Sequence, residues 1–229
     1  MPNLYEDESG VIRALVDRLG HDLEPSILIG GWATFVRVGG EISLDIDLIT
    51  SQESRHKLEQ LMTDLSPTNN DQGRMLRATV DDVHLDIYLP YESQLGSRLR
   101  LRVEVLAEYP DEAPFESWTL LRLEAHIATK IADLLDRHFS EKGQKDAREI
   151  LALLKLDGVD PAVAAEVLHR ASTIEIDVLP DMIGQAFDLI ANIITLSKAE
   201  RKLLAAARKS WVAELHRQGT QPQTARPKL

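Results

Sequence analysis

Strand-like patterning is confined to the first half of the chain, and this change limits the folds that the sequence can adopt. Apolar or alternating runs predict strands over Ile27–Ile29, Leu44–Ile49, Arg74–Val80, Val83–Leu89 and Leu99–Leu106, with helical spacing at Glu8–Leu19, Trp32–Val38 and Arg55–Leu65. After Pro114 the periodic segments are all helical, at Trp118–His138, Lys142–Leu156, Pro161–Ala171, Pro180–Leu196 and Lys198–His216. The pattern predicts an α/β domain over 1–115, a helical domain over 116–217 and a disordered tail over 218–229.

Charge is distributed unevenly along the 229 residues. The formal net charge is −11, yet the segment from Lys198 to the end has eight basic and two acidic residues. That segment carries +6, so the preceding part carries −17. The acidic total argues against a protein that coats nucleic acid through bulk electrostatics, but it leaves room for a local basic surface.

The composition excludes several classes of site. The sequence contains no Cys, so it cannot form a disulfide scaffold, a thiolate nucleophile, a Cys-ligated zinc site or an iron–sulfur cluster. The polar first ten residues do not resemble a secretory signal, and no apolar run approaches the ~18 residues of a membrane span. We therefore expect a cytoplasmic protein that does not associate with membranes.

Two aspartates lie within one predicted strand. Because strand side chains alternate between faces, Asp45 and Asp47 share a face with their Cβ atoms about 7 Å apart, opposite Leu44, Ile46 and Leu48. Neighbouring carboxylates repel each other unless a cation lies between them, and an all-oxygen ligand set suits Mg²⁺. The alternative is a solvated acidic strand face, although Asp is uncommon in strands.

A third carboxylate, Asp86, lies on the polar face of a later predicted strand. If that strand pairs beside the first, three carboxylates converge in the two-metal arrangement of phosphoryl transfer. Asp45 and Asp47 would then hold both ions, and Asp86 would complete the ion that activates the attacking hydroxyl or act as the general base. His84 and Tyr88 share its face and are expected to pack or orient rather than to bind metal.

A glycine pair, Gly30-Gly31, follows a predicted strand and precedes a predicted helix. Glycines at such a position let backbone N–H groups approach a phosphate at the positive end of the helix. A tight strand–helix turn without a ligand is the alternative interpretation.

These motifs, in this order, resemble the minimal signature of polymerase-β-like nucleotidyltransferases. The later Lys130, Arg137 and Lys145-Asp146 are similar to the AbiEii family, nucleotidyltransferase toxins of type IV toxin–antitoxin systems that include the MenT branch. The resemblance implies a mixed sheet with flanking helices, followed by an all-helical domain that completes the active-site cleft. It also implies a phosphate-binding role for Lys130 and Arg137, a site role for Asp146, and triphosphate contacts from Gly30, Gly31 and Ser43.

The resemblance further implies a Mg²⁺-dependent enzyme, with two ions, that transfers a nucleoside monophosphate from an NTP to an acceptor hydroxyl. The acceptor would be the 3′ end of tRNA, and a cognate antitoxin would be a partner. A small-molecule (aminoglycoside-type) nucleotidyltransferase and a non-catalytic nucleotide- or partner-binding module remain alternatives. A tRNA acceptor requires basic surfaces, and three candidates are the sets Arg98, Arg100 and Arg102; Lys142, Lys145 and Arg148; and the C-terminal segment.

The sequence also departs from the family pattern. Glu41 stands where many members have a basic residue, which Arg37 could replace, and Trp32 follows the glycine pair, where it could stack on a base or belong to the core.

Overall fold

The computed structural model describes residues 10, 13–20, 23, 26–61, 66–70, 73–80, 83–112 and 118–220. In chain order its elements are α1 (13–20), β1 (Ser26–Ile29), α2 (Gly30–Val38), β2 (Asp45–Thr50), α3 (Gln52–Leu61), β3 (Ser66–Asn70), β4 (Gly73–Val80), β5 (Val83–Leu95), β6 (Leu101–Arg102), α4 (Val103–Leu106), β7 (Thr119–Leu120), α5 (Leu123–Arg137), α6 (Glu141–Leu154), α7 (Pro161–Ala171), α8 (Leu179–Ile193) and α9 (Lys198–Gly219).

The strands form a mixed sheet in the order β3-β4-β5-β2-β1-β7, and β6 pairs with the end of β5. The β2–β5 and β1–β7 pairs are parallel, and the other pairs are antiparallel. A parallel pair needs a long crossover, which α3, β3 and β4 supply between β2 and β5. The predicted fold class, a mixed α/β sheet with flanking helices followed by a helical region, is confirmed.

Alternation along the central strands separates an apolar face from an acidic one. Ile46, Leu48, Leu85 and Ile87 are fully buried and pack in a core cluster beside Trp32. Burying these side chains fixes the register, since a slip of one residue would carry them to the opposite face. The carboxylates of β2 and β5 are therefore held together on the other face of the sheet.

The helical half packs around a second core, and its helices begin at clear capping residues. Ser140 caps α6 by accepting a hydrogen bond from the Gly143 N–H, and Asp160 with Pro161 starts α7. Ser197 and Glu200 form a capping box at the start of α9. These caps explain why the sequence pattern locates the starts of α6, α7 and α9 within one residue.

Three parts of the prediction differ from the structure. The predicted strand over Leu99–Leu106 is wrong, because only Leu101–Arg102 pair with β5 and the buried Val103, Val105 and Leu106 lie on the short helix α4. Strands β3 and β7 were not predicted, and α5 begins at Leu123 rather than at Trp118. Residues 113–117 and 221–229, which include the predicted domain boundary and most of the predicted tail, lie outside the described residues, and α9 extends to Gly219.

Candidate active site

The parallel pairing of β2 and β5 places the three predicted metal ligands on one patch of the sheet. Asp47 is the register partner of Asp86, and Asp45 is the partner of His84. Adjacent strands lie about 4.8 Å apart, so the carboxylates of Asp47 and Asp86 project from neighbouring backbone positions. The strand pairing that a convergent carboxylate site requires is thus present.

Asp47 is the most strongly perturbed acid of this patch. Burial and the nearby carboxylates of Asp45, Asp133 and Asp86 raise its pKa to about 8, against a smaller opposing effect of Lys130. At neutral pH the charged form of Asp47 is therefore disfavoured until a cation approaches. A buried carboxyl group with a raised pKa beside other carboxylates is typical of functional sites.

Asp45 is stabilised as a carboxylate instead. Burial raises its pKa, but a hydrogen bond donated by the Ser43 hydroxyl and the charge of Lys142 outweigh burial, so that the pKa lies below its usual value. The Lys142 Nζ lies 3.7 Å from Asp45 Oδ2, and Lys142 is largely exposed. The two acids of β2 therefore differ in charge state although they share one strand face.

Asp86 is held by an arginine from the next strand. Arg77 on β4 is its register partner and donates from Nε to Oδ1 at 2.9 Å and from Nη2 to Oδ2 at 3.4 Å. This fork occupies both oxygens of the carboxylate.

The donor set fits a divalent cation in chemistry but does not form a ready ligand cage. Asp45, Asp47 and Asp86 offer only carboxylate oxygens, as Mg²⁺ prefers, and the raised pKa of Asp47 marks a charge that a cation would stabilise. Among the described residues, however, no group of three or more His, Asp or Glu side chains is arranged to hold a metal ion. A Mg²⁺ ion here would compete with Arg77 for the Asp86 carboxylate.

The glycine pair lies against these acids. Gly30 has φ +68°, and a Cβ on it would lie 2.2 Å from Asp47 Oδ2; a Cβ on Gly31 would lie 2.8 Å from the Ser43 Cβ and 3.5 Å from the Lys145 Nζ. Only glycine permits both the backbone conformation at residue 30 and the close approach. The turn therefore brings its backbone directly beside Asp47, Ser43 and Lys145.

A buried histidine positions this turn. Thr34 donates from its hydroxyl to the Gly30 carbonyl at 3.2 Å and lies 3.1 Å from the His126 Nε2. Burial, together with the charges of Lys130 and Arg37, lowers the pKa of His126 well below its usual value, so the ring is neutral. Helix α5 thus supports the glycine turn through the neutral ring of His126, which contacts the Thr34 hydroxyl.

Lys130 and Arg137 lie on one face of α5 and both contact Asp146 of α6. Lys130 is buried, with its Nζ 2.5 Å from Glu149 Oε2 and 3.5 Å from Asp146 Oδ1. Burial disfavours the ammonium, but Glu149, Asp133 and Asp146 outweigh burial and raise its pKa. Arg137 donates to both oxygens of Asp146, at 2.7 and 3.0 Å.

In this network the two residues predicted to bind phosphate, Lys130 and Arg137, pair with carboxylates of the protein. Lys130 is enclosed by carboxylates rather than directed to solvent, while Arg137 is partly exposed. The role of Lys130 and Arg137 in nucleotide binding, like that of Asp146, stays a prediction. The cations beside Asp45 and the glycine turn are Lys142 and Lys145, whose Nζ donates to the Ile42 carbonyl at 3.2 Å.

Sequence reasoning missed two residues of this neighbourhood and assigned a third differently. Glu149 and Asp133 were not singled out, although Glu149 stands four residues after Lys145 on one helix face. Burial and the Asp146 carboxylate raise the pKa of Asp133 to about 6 against the opposing charges of Arg137 and Lys130. Lys145 was assigned to an RNA surface rather than to the glycine turn.

The sequence leaves two interpretations for Trp32 and Arg37, and in the structure both side chains pack inside the protein. Trp32 is 1% exposed and packs edge-to-face on Phe35. Arg37 is also buried and donates to Asp111 at 2.6 Å, so it does not replace a basic residue at position 41. Glu41 itself pairs with Arg148 at 2.9 Å.

The predicted strand-face stripe of arginines does not form. Arg98 donates to the Leu135 carbonyl at 3.2 Å, Arg100 to that of Ser97 at 3.1 Å, and Arg102 to that of Arg170. Arg98 therefore ties a loop to α5, Arg102 ties β6 to α7, and Arg100 bonds within its own loop. On α9, by contrast, Lys198, Arg201, Lys202 and Lys209 are exposed.

Over the described part of the chain, the helices are either too short or too polar to cross a membrane.

Comparison with known proteins gives likeness in structure alone. No protein-family model matches the chain, and no curated protein qualifies as a relative. Among solved structures, it is similar to a proposed nucleotidyltransferase from Thermotoga maritima (16% identity, TM-score 0.42, covering 63% of this chain and 94% of the other). It is also similar to an antigenic nucleotidyltransferase-like protein from Paracoccidioides brasiliensis (14% identity, TM-score 0.48, covering 87% and 92%). Neither likeness assigns the chain to a family.

Proposed function

We propose that the protein is a Mg²⁺-dependent nucleotidyltransferase that uses an NTP as donor. The observation that carries this proposal is the register of β2 and β5, which places Asp47 opposite Asp86 with Asp45 on the same face. Beside them stands a glycine turn that accommodates no side chain and has Lys145 next to it. Carboxylates for metal, and a glycine turn at a helix start with a lysine beside it for phosphate, are the two parts that nucleotidyl transfer needs.

In the proposed reaction the acceptor oxygen attacks the α-phosphorus of the NTP. The bond from that phosphorus to the oxygen bridging to the β-phosphate breaks, pyrophosphate leaves, and the hydroxyl proton passes to Asp86 or to water. Mg²⁺ held by Asp45, Asp47 and Asp86 would neutralise the triphosphate and the charge that develops on it. The chain itself would position the groups: the phosphates would contact the N–H groups of the glycine turn, the Ser43 hydroxyl and Lys145.

The acceptor in this proposal is the 3′ end of tRNA, and the biological role is that of the toxin of a type IV toxin–antitoxin pair. Support comes from the resemblance of Lys130, Arg137 and Asp146 to the AbiEii pattern and from the exposed cations of α9, which contrast with the acidic remainder. A small-molecule acceptor is the competing outcome of the test.

The test supplies the purified protein with each α-³²P-labelled NTP, Mg²⁺, and either total tRNA or a panel of aminoglycosides. We expect label on tRNA together with released pyrophosphate. Asp47→Asn should lower the transfer rate by about 10³-fold or more, since it removes a ligand that the transition state requires. Asp157→Asn, an exposed acid after α6, is the matched control and should leave the rate unchanged.

Transfer that survives in Asp47→Asn at the wild-type rate would refute the mechanism. Label on an aminoglycoside instead of tRNA would replace the proposed acceptor and leave the chemistry intact.

A further inference from the structure

A cavity of about 450 Å³ opens on the acidic patch, shares two of its aspartates and does not include the glycine turn. Its lining includes Asp45 and Asp86, the exposed Leu44, and Arg77, Thr79 and His84. Its volume lies in the range of small-ligand sites, which is ~300–1,000 Å³.

The sheet order separates this cavity from the glycine turn. Strand β1, which leads into Gly30, flanks β2 on one side, whereas β5 and β4, which bear Asp86 and Arg77, lie on the other. Since strands are spaced about 4.8 Å apart, Arg77 starts from a backbone about 10 Å from that of the Asp45–Asp47 strand. A donor triphosphate at Gly30-Gly31 and a second substrate in the cavity would therefore meet at the acids between them.

Resting on the proposed function, we propose that this cavity binds the terminal phosphodiester of a polynucleotide acceptor and that Arg77 is the residue that recognises it. In the present structure the Arg77 guanidinium donates two hydrogen bonds to the Asp86 carboxylate. The same planar fork matches two oxygens of a phosphate as well as those of a carboxylate. Arg77 is more than half exposed, so an entering phosphate reaches it without unfolding of the strand.

The pair makes acceptor binding and activation of the site one event. While Arg77 holds Asp86, one acceptor site on each oxygen of that carboxylate is occupied, and the guanidinium charge competes with a metal ion or the acceptor proton for it. A phosphate that takes Arg77 releases Asp86 beside the acceptor hydroxyl. Thr79 and His84, which are 3.4 Å apart at Oγ1 and Nδ1, offer further hydrogen-bonding groups on the same wall, and Leu44, 63% exposed, offers an apolar contact for a sugar or base.

Direct binding tests the proposal without catalysis. The probe is a 5′-fluorescein-labelled single-stranded RNA octamer with a free 3′ hydroxyl. Fluorescence anisotropy measures its binding to the protein at low salt, without metal or NTP. Arg77→Ala should weaken binding about tenfold, and Arg77→Lys should be intermediate because it keeps the charge but loses the fork. Arg170→Ala, which removes another partly exposed arginine that pairs with a carboxylate, Glu108, and lies outside the proposed RNA surfaces, is the matched control and should change nothing.

The two members of the pair should act in opposite directions. Asp86→Asn removes the competitor for Arg77 and should tighten RNA binding severalfold, and this gain should vanish in the Arg77→Ala background. A merely structural pair would show losses in both single variants. Equal binding by Arg77→Ala and the wild type, or the same gain from Asp86→Asn in both backgrounds, would overturn the proposal.

Acceptor kinetics give a second readout. Arg77→Ala should raise the KM for a dinucleoside monophosphate, which has one phosphodiester, and leave the KM for a plain nucleoside acceptor unchanged. Equal effects on both acceptors would contradict phosphate recognition. If the wild-type protein transfers nothing from any NTP, the proposed function fails, and the binding experiment still decides the role of Arg77.

Discussion

The molecule contains two clusters of acidic side chains whose charges are balanced in opposite ways. On the sheet, Asp47 lies beside Asp45 and Asp86, and burial together with the nearby carboxylates raises its pKa to about 8 against the opposing charge of Lys130. Between α5 and α6, Asp146 and Glu149 are buried too, but Lys130 and Arg137 contact them directly. The helical cluster is complete as a structural unit. On the sheet, Lys142 and Arg77 pair with Asp45 and Asp86, but no ion pair among the described residues reaches Asp47, and this difference is why the proposed cation is placed there.

The largest effect is expected from a substitution that removes the lysine of the helical cluster. Lys130→Met should leave Glu149 buried with only the more distant Lys145, 3.8 Å away, and cost about 3–5 kcal/mol of the free energy of unfolding. Thermal unfolding should show a melting temperature lower by roughly 10 °C.

The companion variant Lys130→Met/Glu149→Met replaces the pair by apolar side chains and should recover most of the loss. A single variant that melts with the wild type would show that the helical cluster is not held by this ion pair.

The next largest effect is expected from a substitution that shifts the Asp47 side chain but keeps its carboxylate. Gly30→Ala should cost about 2 kcal/mol and lower nucleotidyl transfer more than tenfold, because the added Cβ would lie 2.2 Å from Asp47 Oδ2. Gly39→Ala is the matched control, since Gly39 has the same φ of +68° with open space around its Cβ. If both variants lost transfer equally, backbone strain rather than contact with Asp47 would be the cause.

A smaller effect concerns pH. The folded-state pKa of Asp47 lies above its unfolded value of 3.8, so its burial becomes a growing penalty as pH rises from about 4 and is complete above about 8. In EDTA, Asp47→Asn should therefore match the wild type near pH 4 and be more stable by about 1–2 kcal/mol at pH 9, because water reaches part of the side chain and reduces the penalty. Melting curves against pH measure this difference, and a constant difference across the range would contradict it.

The sheet site was more predictable from sequence than the helical cluster, for a physical reason. Alternation reports which side chains share a strand face, so Asp45, Asp47 and Asp86 could be placed together once their strands paired. Spacing likewise placed Lys130 and Arg137 on one face of α5. It could not show that α6 closes over Lys130 with Glu149, because burial of a lysine depends on which helix packs against it.

Other elements could not be predicted because their signals are weak or misleading. Strand β3 begins Ser66-Pro67 and contains two Asn, all poor strand formers, and it exists because β4 offers it an antiparallel edge. Strand β7 has only two residues and depends on parallel pairing with β1. The alternation at Leu101, Val103 and Val105 arises because an extended pair and a helical turn both bury those residues.

The central claim is that the sheet acids hold a divalent cation, and metal binding tests it most directly. Mn²⁺, as a spectroscopic substitute for Mg²⁺, can be titrated into the protein while electron paramagnetic resonance reports the free ion. The wild type and Asp157→Asn should bind Mn²⁺ at one site or two, about tenfold more tightly at pH 8.5 than at pH 6.5, since the ion must displace the proton of Asp47. Asp47→Asn should lose this binding at both pH values. Equal binding by Asp47→Asn and the wild type would contradict the account.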